Sequence, residues 1–244
     1  LGFGEYGFPE SHAASFALLV YTSSWLKRHE PEAFLAAMLN SQPMGFYSPS
    51  QLVQDAKRHG VQVLPVDVTT SGWDSSLEHV DGAEKPAVRL GLSLLRGMRD
   101  GAAERIENAR AVRRFTTVND LARRAQLDRH DLQVLAAAYA LSSLAGNRRE
   151  ALWQSVASVP DKDMLSVVKV EDETPELGAP SEAQDIAGDY RSMGLTLGRH
   201  PLELLRPQLL ASKLLPTSTL QTYRSGRLAR ACGIVTKRDR KRVV

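Results

Sequence analysis

Apolar positions change their rhythm several times along this chain. From Ala13 to Arg28 they recur almost all round a helical wheel, as they do in a helix buried among others. Pro9 cannot donate a backbone hydrogen bond and disfavours helix at Phe8, so this helix is expected to start after it. Ser11 is suited to cap it. Pro31 at a first-turn position restarts the chain, and Glu32 to Asn40 reads as a second helix. Pro43, Gly45 and Pro49 mark a loop. Ser48 and Pro49 then open a third helix, Ser50 to His59, which Gly60 closes. Val61 to Leu64 alternates and is β-branched, which predicts a short strand ending at Pro65. Further strands are expected near Trp73 and over Val88 to Leu92.

Beyond Leu92 the pattern becomes helical again. Leu92 to Met98 reads as an apolar helix end, Gly97 and Gly101 as a tight turn, and Ala102 to Ile106 as a new helix. That is a helix-hairpin-helix outline, a fold that offers backbone N–H groups to nucleic-acid phosphates without reading bases. A second copy is expected over Leu127 to Leu141 followed by Gly146 to Trp153. Two departures weaken the outline: Arg99 stands where a second glycine is usual, and Tyr139 fills a slot that the family resemblance given below implies is often Gly or Asp. Asp161 to Asp189 is acidic and broken by Pro175 and Pro180, the composition of a solvated linker rather than a magnesium cluster. Order is expected to return at Ile186. His200 before Pro201 reads as a packed or capping residue, and Arg227 to Val235 as a strand. The fold class is therefore mainly α with minor β.

Composition adds little to this, and charge placement more. The 244 residues are 43% hydrophobic and 24% charged, as in an ordinary folded protein. One cysteine, Cys232, excludes an internal disulfide and a cysteine zinc cluster, which suits a reducing, cytoplasmic setting. The apolar run near the start is too short, and too rich in Ser and Thr, for a membrane span. It also lacks the basic flank of a signal peptide. Net charge is only +3, but Arg89 to Arg149 holds twelve arginines and no lysine against six acids. Arginine suits bidentate phosphate contacts. The competing reading is a solvated helical surface laced with ion pairs.

Tyr6-Gly7-Phe8, Ser11-His12-Ala13-Ala14, Tyr21 and Trp25-Leu26-Lys27 resemble the fingers region of the bacterial C-family DNA polymerases. These are the replicative polymerase III alpha subunits and their error-prone relatives. Ser41 to Pro49 (SQPMGFYSP) is closer to the error-prone, ImuC-type branch, and the resemblance runs from about Gly4 to about Arg240. It implies part of the fingers over 1–90 and a tandem helix-hairpin-helix region over 91–157. An acidic linker over 158–185 and a connecting segment over 186–226 follow. The last part, 227–244, would be the start of an incomplete oligonucleotide-binding (OB-fold) domain.

The resemblance further implies roles. Tyr6, Ser11 and His12 would border the incoming nucleotide, with Ser11 and His12 on its triphosphate or sugar. Arg96, Gly97, Arg99, Gly101, Arg105, Arg148 and Arg149 would contact primer–template DNA. The Mg2+ ions of the complete polymerase would sit on palm carboxylates upstream of this sequence, so no catalytic or metal-ligating residue is expected here and the isolated chain is expected to be inactive. The partners implied are DNA, dNTP, the N-terminal part of the polymerase and lesion-bypass accessory proteins, with no membrane. Two other readings stay open: a non-enzymatic, sequence-independent DNA-binding module, and the interaction half of a split polymerase acting in trans.

Overall fold

The computed structural model describes residues 10–158 and 177–235. It is mainly helical with one small sheet, as the apolar pattern predicts. Helix α1 spans Glu10–His29, α2 Pro31–Asn40 and α3 Pro49–Arg58. Pro31 takes the first turn of α2, where its missing N–H would have had no partner. Ser48 caps α3 in a reciprocal capping box with Gln51, and Gly60 leaves the helix at a φ of 86° that favours glycine.

Three short strands follow: β1 Val63–Leu64, β2 Ser76–Glu78 and β3 Ala87–Arg89. β3 lies in the middle, parallel to β1 and antiparallel to β2. The strand expected near Trp73 therefore begins three residues later. Helix α2 covers this sheet, and the Asn40 side chain joins the two by exchanging hydrogen bonds of 2.9 and 2.7 Å with the Ser75 backbone.

The helical part comprises α4 Asp100–Val112, α5 Val118–Arg124, α6 Arg129–Ala137, α7 Ser142–Ala145 and α8 Arg148–Ala157. Leu92, Ile106, Leu121, Leu132, Leu135 and Leu141 are fully buried and continue the core of the sheet into these helices. Arg110 stitches the two parts, donating at 2.8 Å to the carbonyls of Val68 and Ser71. Burial lowers its proton affinity, with Glu107 and Asp67 opposing. Next come α9 Glu182–Ser192, α10 Pro201–Leu204, α11 Arg206–Ala211 and α12 Thr217–Leu220.

Several expectations need correction. The α1 helix is not buried: Phe16, Leu19 and Val20 are 53%, 60% and 64% exposed among the described residues. An all-round apolar pattern records the need for a cover without saying where that cover lies. Ser11 falls within α1 rather than capping it. Leu92 to Met98 holds only a 3-10 turn, Leu92–Leu94, in place of a helix end. Glu182 and Asp185, counted with the acidic linker, belong to α9, whose Ser181 and Gln184 form a capping box. No strand forms over the described residues 227–235, whose backbone bonds are those from the Leu215 N–H to the Arg230 carbonyl and from the Arg227 N–H to the Arg224 carbonyl. Most of the acidic stretch, and residues 236–244 of the expected OB-fold start, lie outside the described residues. His200 caps α10, its Nδ1 accepting from the Leu202 N–H at 3.2 Å.

Candidate nucleic-acid interface

Two turns in the helical part carry the hairpin geometry. The first runs from Leu95 to Gly101 and enters α4. Gly97 sits at φ 88°, in the left-handed region, and its carbonyl meets His130 Nε2 at 3.0 Å. Arg99 precedes α4 in extended conformation and supplies no side-chain cap. Among the described residues, the backbone N–H groups of Gly97, Arg99, Asp100 and Gly101 have no acceptor. A row of unpaired N–H groups at the start of a 13-residue helix is the local chemistry that takes an anion. The Asp100 carboxylate stands in the same turn and opposes one.

The second turn links α6 to α8. Tyr139 sits at φ 63°, the conformation that explains why Gly or Asp would suit this slot. Its hydroxyl donates to the Gly146 carbonyl at 3.2 Å. Here the backbone donors are largely satisfied. Ala138, Tyr139, Ala140 and Ser142 all bond to carbonyls, and the Asn147 side chain accepts from the N–H groups of Arg149 and Glu150. The two hairpins are thus unequal: the first is open and the second is closed.

The arginines expected at DNA are engaged within the protein. Arg96 donates to the carbonyls of Tyr190 and Arg191 at 3.3 and 3.2 Å, at the C-terminal end of α9. Arg99 donates to Asp128 at 2.5 Å and to Asp131 at 2.6 Å, while about half its side-chain surface stays in solvent. The hydrogen bond to Asp128, then that to Asp131, raises the proton affinity of Arg99 further, and the same bond from Arg99 holds the Asp128 carboxyl below its usual range. Arg105 donates to the carbonyls of Ala125 and Gly101 at 2.9 Å. Arg148 is buried and reaches Asp185 O at 2.7 Å and Asp189 Oδ1 at 2.5 Å. Arg149 donates at 3.0 Å to Gly178 O and Gln184 Oε1. Gly101 forms part of the open turn, together with Gly97.

The nucleotide-facing residues are only partly visible. Tyr6 lies outside the described residues, as does the side chain of Ser11. His12 is exposed on α1, with its ring centroid 6.3 Å from that of Phe16. The structure brings neither His12 nor α1 to the hairpins: α1 packs on α2, and its Lys27 pairs with Asp55 of α3 at 2.7 Å. Among the described residues, no three His, Cys, Asp or Glu side chains come together as a metal site. Among the described residues, no helix is long and apolar enough to cross a membrane. The partners of the arginines were missed from sequence, because they lie far off along the chain. Arg99 and Asp131 are 32 positions apart.

Comparison with known proteins agrees with the hairpins. Residues 60–151 match the family model described as a helix-hairpin-helix motif. The chain is 65% identical over 240 residues to an error-prone DNA polymerase of Bordetella parapertussis, covering 98% of this chain and 23% of that protein. It is 62% identical over 243 residues to one from Burkholderia pseudomallei, with the same shares covered. A Ralstonia pickettii protein of the same name is 58% identical over 249 residues. The chain spans about a quarter of the length of the curated relatives it matches.

Proposed function

We propose that the chain is part of an error-prone DNA polymerase, like the relatives it matches, and that it supplies some of that enzyme's hold on DNA and nucleotide during repair or lesion-bypass synthesis. One observation carries the reading: the open first hairpin, with unpaired N–H groups at Gly97 in the turn and at Arg99, Asp100 and Gly101 where α4 begins, inside the matched helix-hairpin-helix region. Duplex phosphates would lie on Gly97, Arg99, Asp100 and Gly101, bound through backbone N–H groups and so without regard to sequence. The exposed part of the Arg99 guanidinium would flank them. Arg96, Arg105, Arg148 and Arg149 would act one step back, bracing the elements that shape the turn. Ser11, His12 and Tyr6 would border the incoming nucleotide at the start of α1. The magnesium ions, the N-terminal part of the polymerase and accessory factors would come from outside the described residues, in a cytoplasmic enzyme.

Binding of a labelled duplex to the full chain tests this. Neutral N–H groups release no counterions, so the one phosphate flanked by Arg99 predicts a loss of only about threefold in affinity between roughly 50 and 200 mM salt. Asp100→Asn should tighten duplex binding, because it removes a carboxylate from the anion-facing turn. If Asp100→Asn leaves affinity and salt slope unchanged, phosphate does not sit on this turn. No nucleotide incorporation is expected from the chain alone with magnesium and a primed template. The exposed apolar side of α1 also favours a second reading, in which this chain joins the remainder of a polymerase in trans. Capture by a palm-containing chain would show it.

A further inference from the structure

The loop between α2 and α3 presents two aromatic side chains that take no part in the core. Phe46 is 91% exposed and Tyr47 59% exposed. The loop is nevertheless well braced. Gln42 Nε2 donates at 3.3 Å to both Met38 O and Tyr47 O, and Gln42 Oε1 accepts from the Met44 N–H at 3.4 Å. Gly45 supplies the left-handed residue at φ 82°, and the Ser48–Gln51 capping box anchors the exit. A braced loop that holds a phenyl ring in water has the form of a contact surface.

Tyr47 also borders a cavity of about 450 Å³, which Lys27, Phe34, Met38, Asp55 and Arg58 help to line. The salt bridge from Lys27 to Asp55 draws together the last turns of α1 and α3, both of which are basic: Lys27, Arg28 and His29 on one, Lys57 and Arg58 on the other. Positive charges at helix C-terminal ends stabilise the helix dipole, which explains their presence but not the aromatic rim beside them. Arg58 has no ion-pair or hydrogen-bond partner among the described residues. The positive charge of this region also reaches Asp55, which is held below its usual range by Lys27 first and by His59 and Arg58 at longer reach.

We propose that Phe46, Tyr47 and Arg58 form a binding strip for single-stranded nucleic acid, with the rings stacking on unpaired bases and the basic helix ends following the phosphates. A ring can stack on a base only where the base's face is uncovered, so a single strand suits this strip and a duplex does not. Every base has such a face, so the strip has no sequence preference. The charge favours a polyanion over an apolar peptide. The proposal rests on the DNA-binding reading given above, but it concerns a different surface from the open hairpin.

The test is fluorescence anisotropy with the full chain, an about 12-nucleotide single strand and a blunt duplex. Phe46→Ala and Tyr47→Ala should each weaken single-strand binding by about tenfold and leave duplex affinity unchanged. Arg58→Ala should weaken single-strand binding and flatten its salt dependence. Circular dichroism of the variants should match the parent, because Phe46 touches little else. If all three variants keep single-strand affinity within about twofold while the duplex still binds, this strip is wrong and the hairpin reading stands. A parent chain that binds neither form overturns both. Variants that keep single-strand affinity but fail to associate with a palm-containing chain would make the loop a protein contact and overturn the proposal.

Discussion

Asp131 has no solvent-exposed side-chain surface, yet it carries a charge that must be compensated. Its Oδ1 accepts from Arg99 at 2.6 Å, its Oδ2 lies 3.5 Å from Arg105, and it returns a bond to the Asp128 N–H in the capping box of α6. One carboxylate thus ties the open hairpin, α4 and α6 together. Only the carboxylate of this cluster is buried, and Arg99 and Arg105 reach it from the surface. The arginines it leaves behind are about half in solvent and Arg99 keeps Asp128, so Asp131→Ala should cost about 1.5–3 kcal/mol in urea unfolding, the worth of the charged hydrogen bonds it removes. It should also weaken duplex binding by loosening the turn around Gly97. If unfolding shifts by less than about 1 kcal/mol, Arg99 is held chiefly by Asp128 at the surface.

Helix α9 shows how the arginines set the arrangement of elements. Two arginines read as DNA contacts grip it from the hairpin region. Arg148 bonds Asp185 and Asp189 within it, and Arg96 caps its C-terminal carbonyls, where a positive charge complements the helix dipole. Gly188 makes this grip possible: a Cβ there would come within 2.0 Å of Arg148 Nη1. Gly188→Ala should displace the guanidinium from Asp189 and strand a buried charge, at a cost of about 3 kcal/mol. Hydrogen exchange should then rise over 182–192 before it rises over 100–157. Uniform exchange in the variant would mean that α9 is not separately attached. The helices with proline and serine starts, α2 and α3, were legible in the sequence because their punctuation is local: Pro31, Ser48–Pro49 and Gly60 each act within a few residues. The glycine turn that enters α4 was legible for the same reason, although only a 3-10 turn stands where a helix end was expected before it. The destinations of Arg96, Arg99 and Arg148 were not, because a run of arginines looks the same whether it faces phosphates or acids packed from elsewhere. The start of α9 at Glu182 was missed because its acids blended with those of the preceding stretch.

The molecule as a whole carries one imbalance. Its core runs continuously from α2 through the sheet to α8 and Leu195, while α1 stands outside it with apolar side chains in water. Tyr21 is 71% exposed and Leu18 67%, on a helix where Trp25 stacks on His29 at 4.7 Å between ring centroids. A surface of this kind on a lone chain is expected to find a cover. In proteins about four times as long, other parts of the same chain are available to supply it. In isolation the nearest cover is another copy. The 244-residue chain should therefore self-associate with rising concentration in sedimentation experiments and bind an apolar dye. Leu19→Glu should return it to a monomer and reduce dye binding, while leaving the melting temperature of the remaining fold nearly unchanged, because Leu19 is not part of the core. A monomeric, dye-silent parent chain would mean that α1 folds back on a surface of its own, and the trans-assembly reading would then lose its main support.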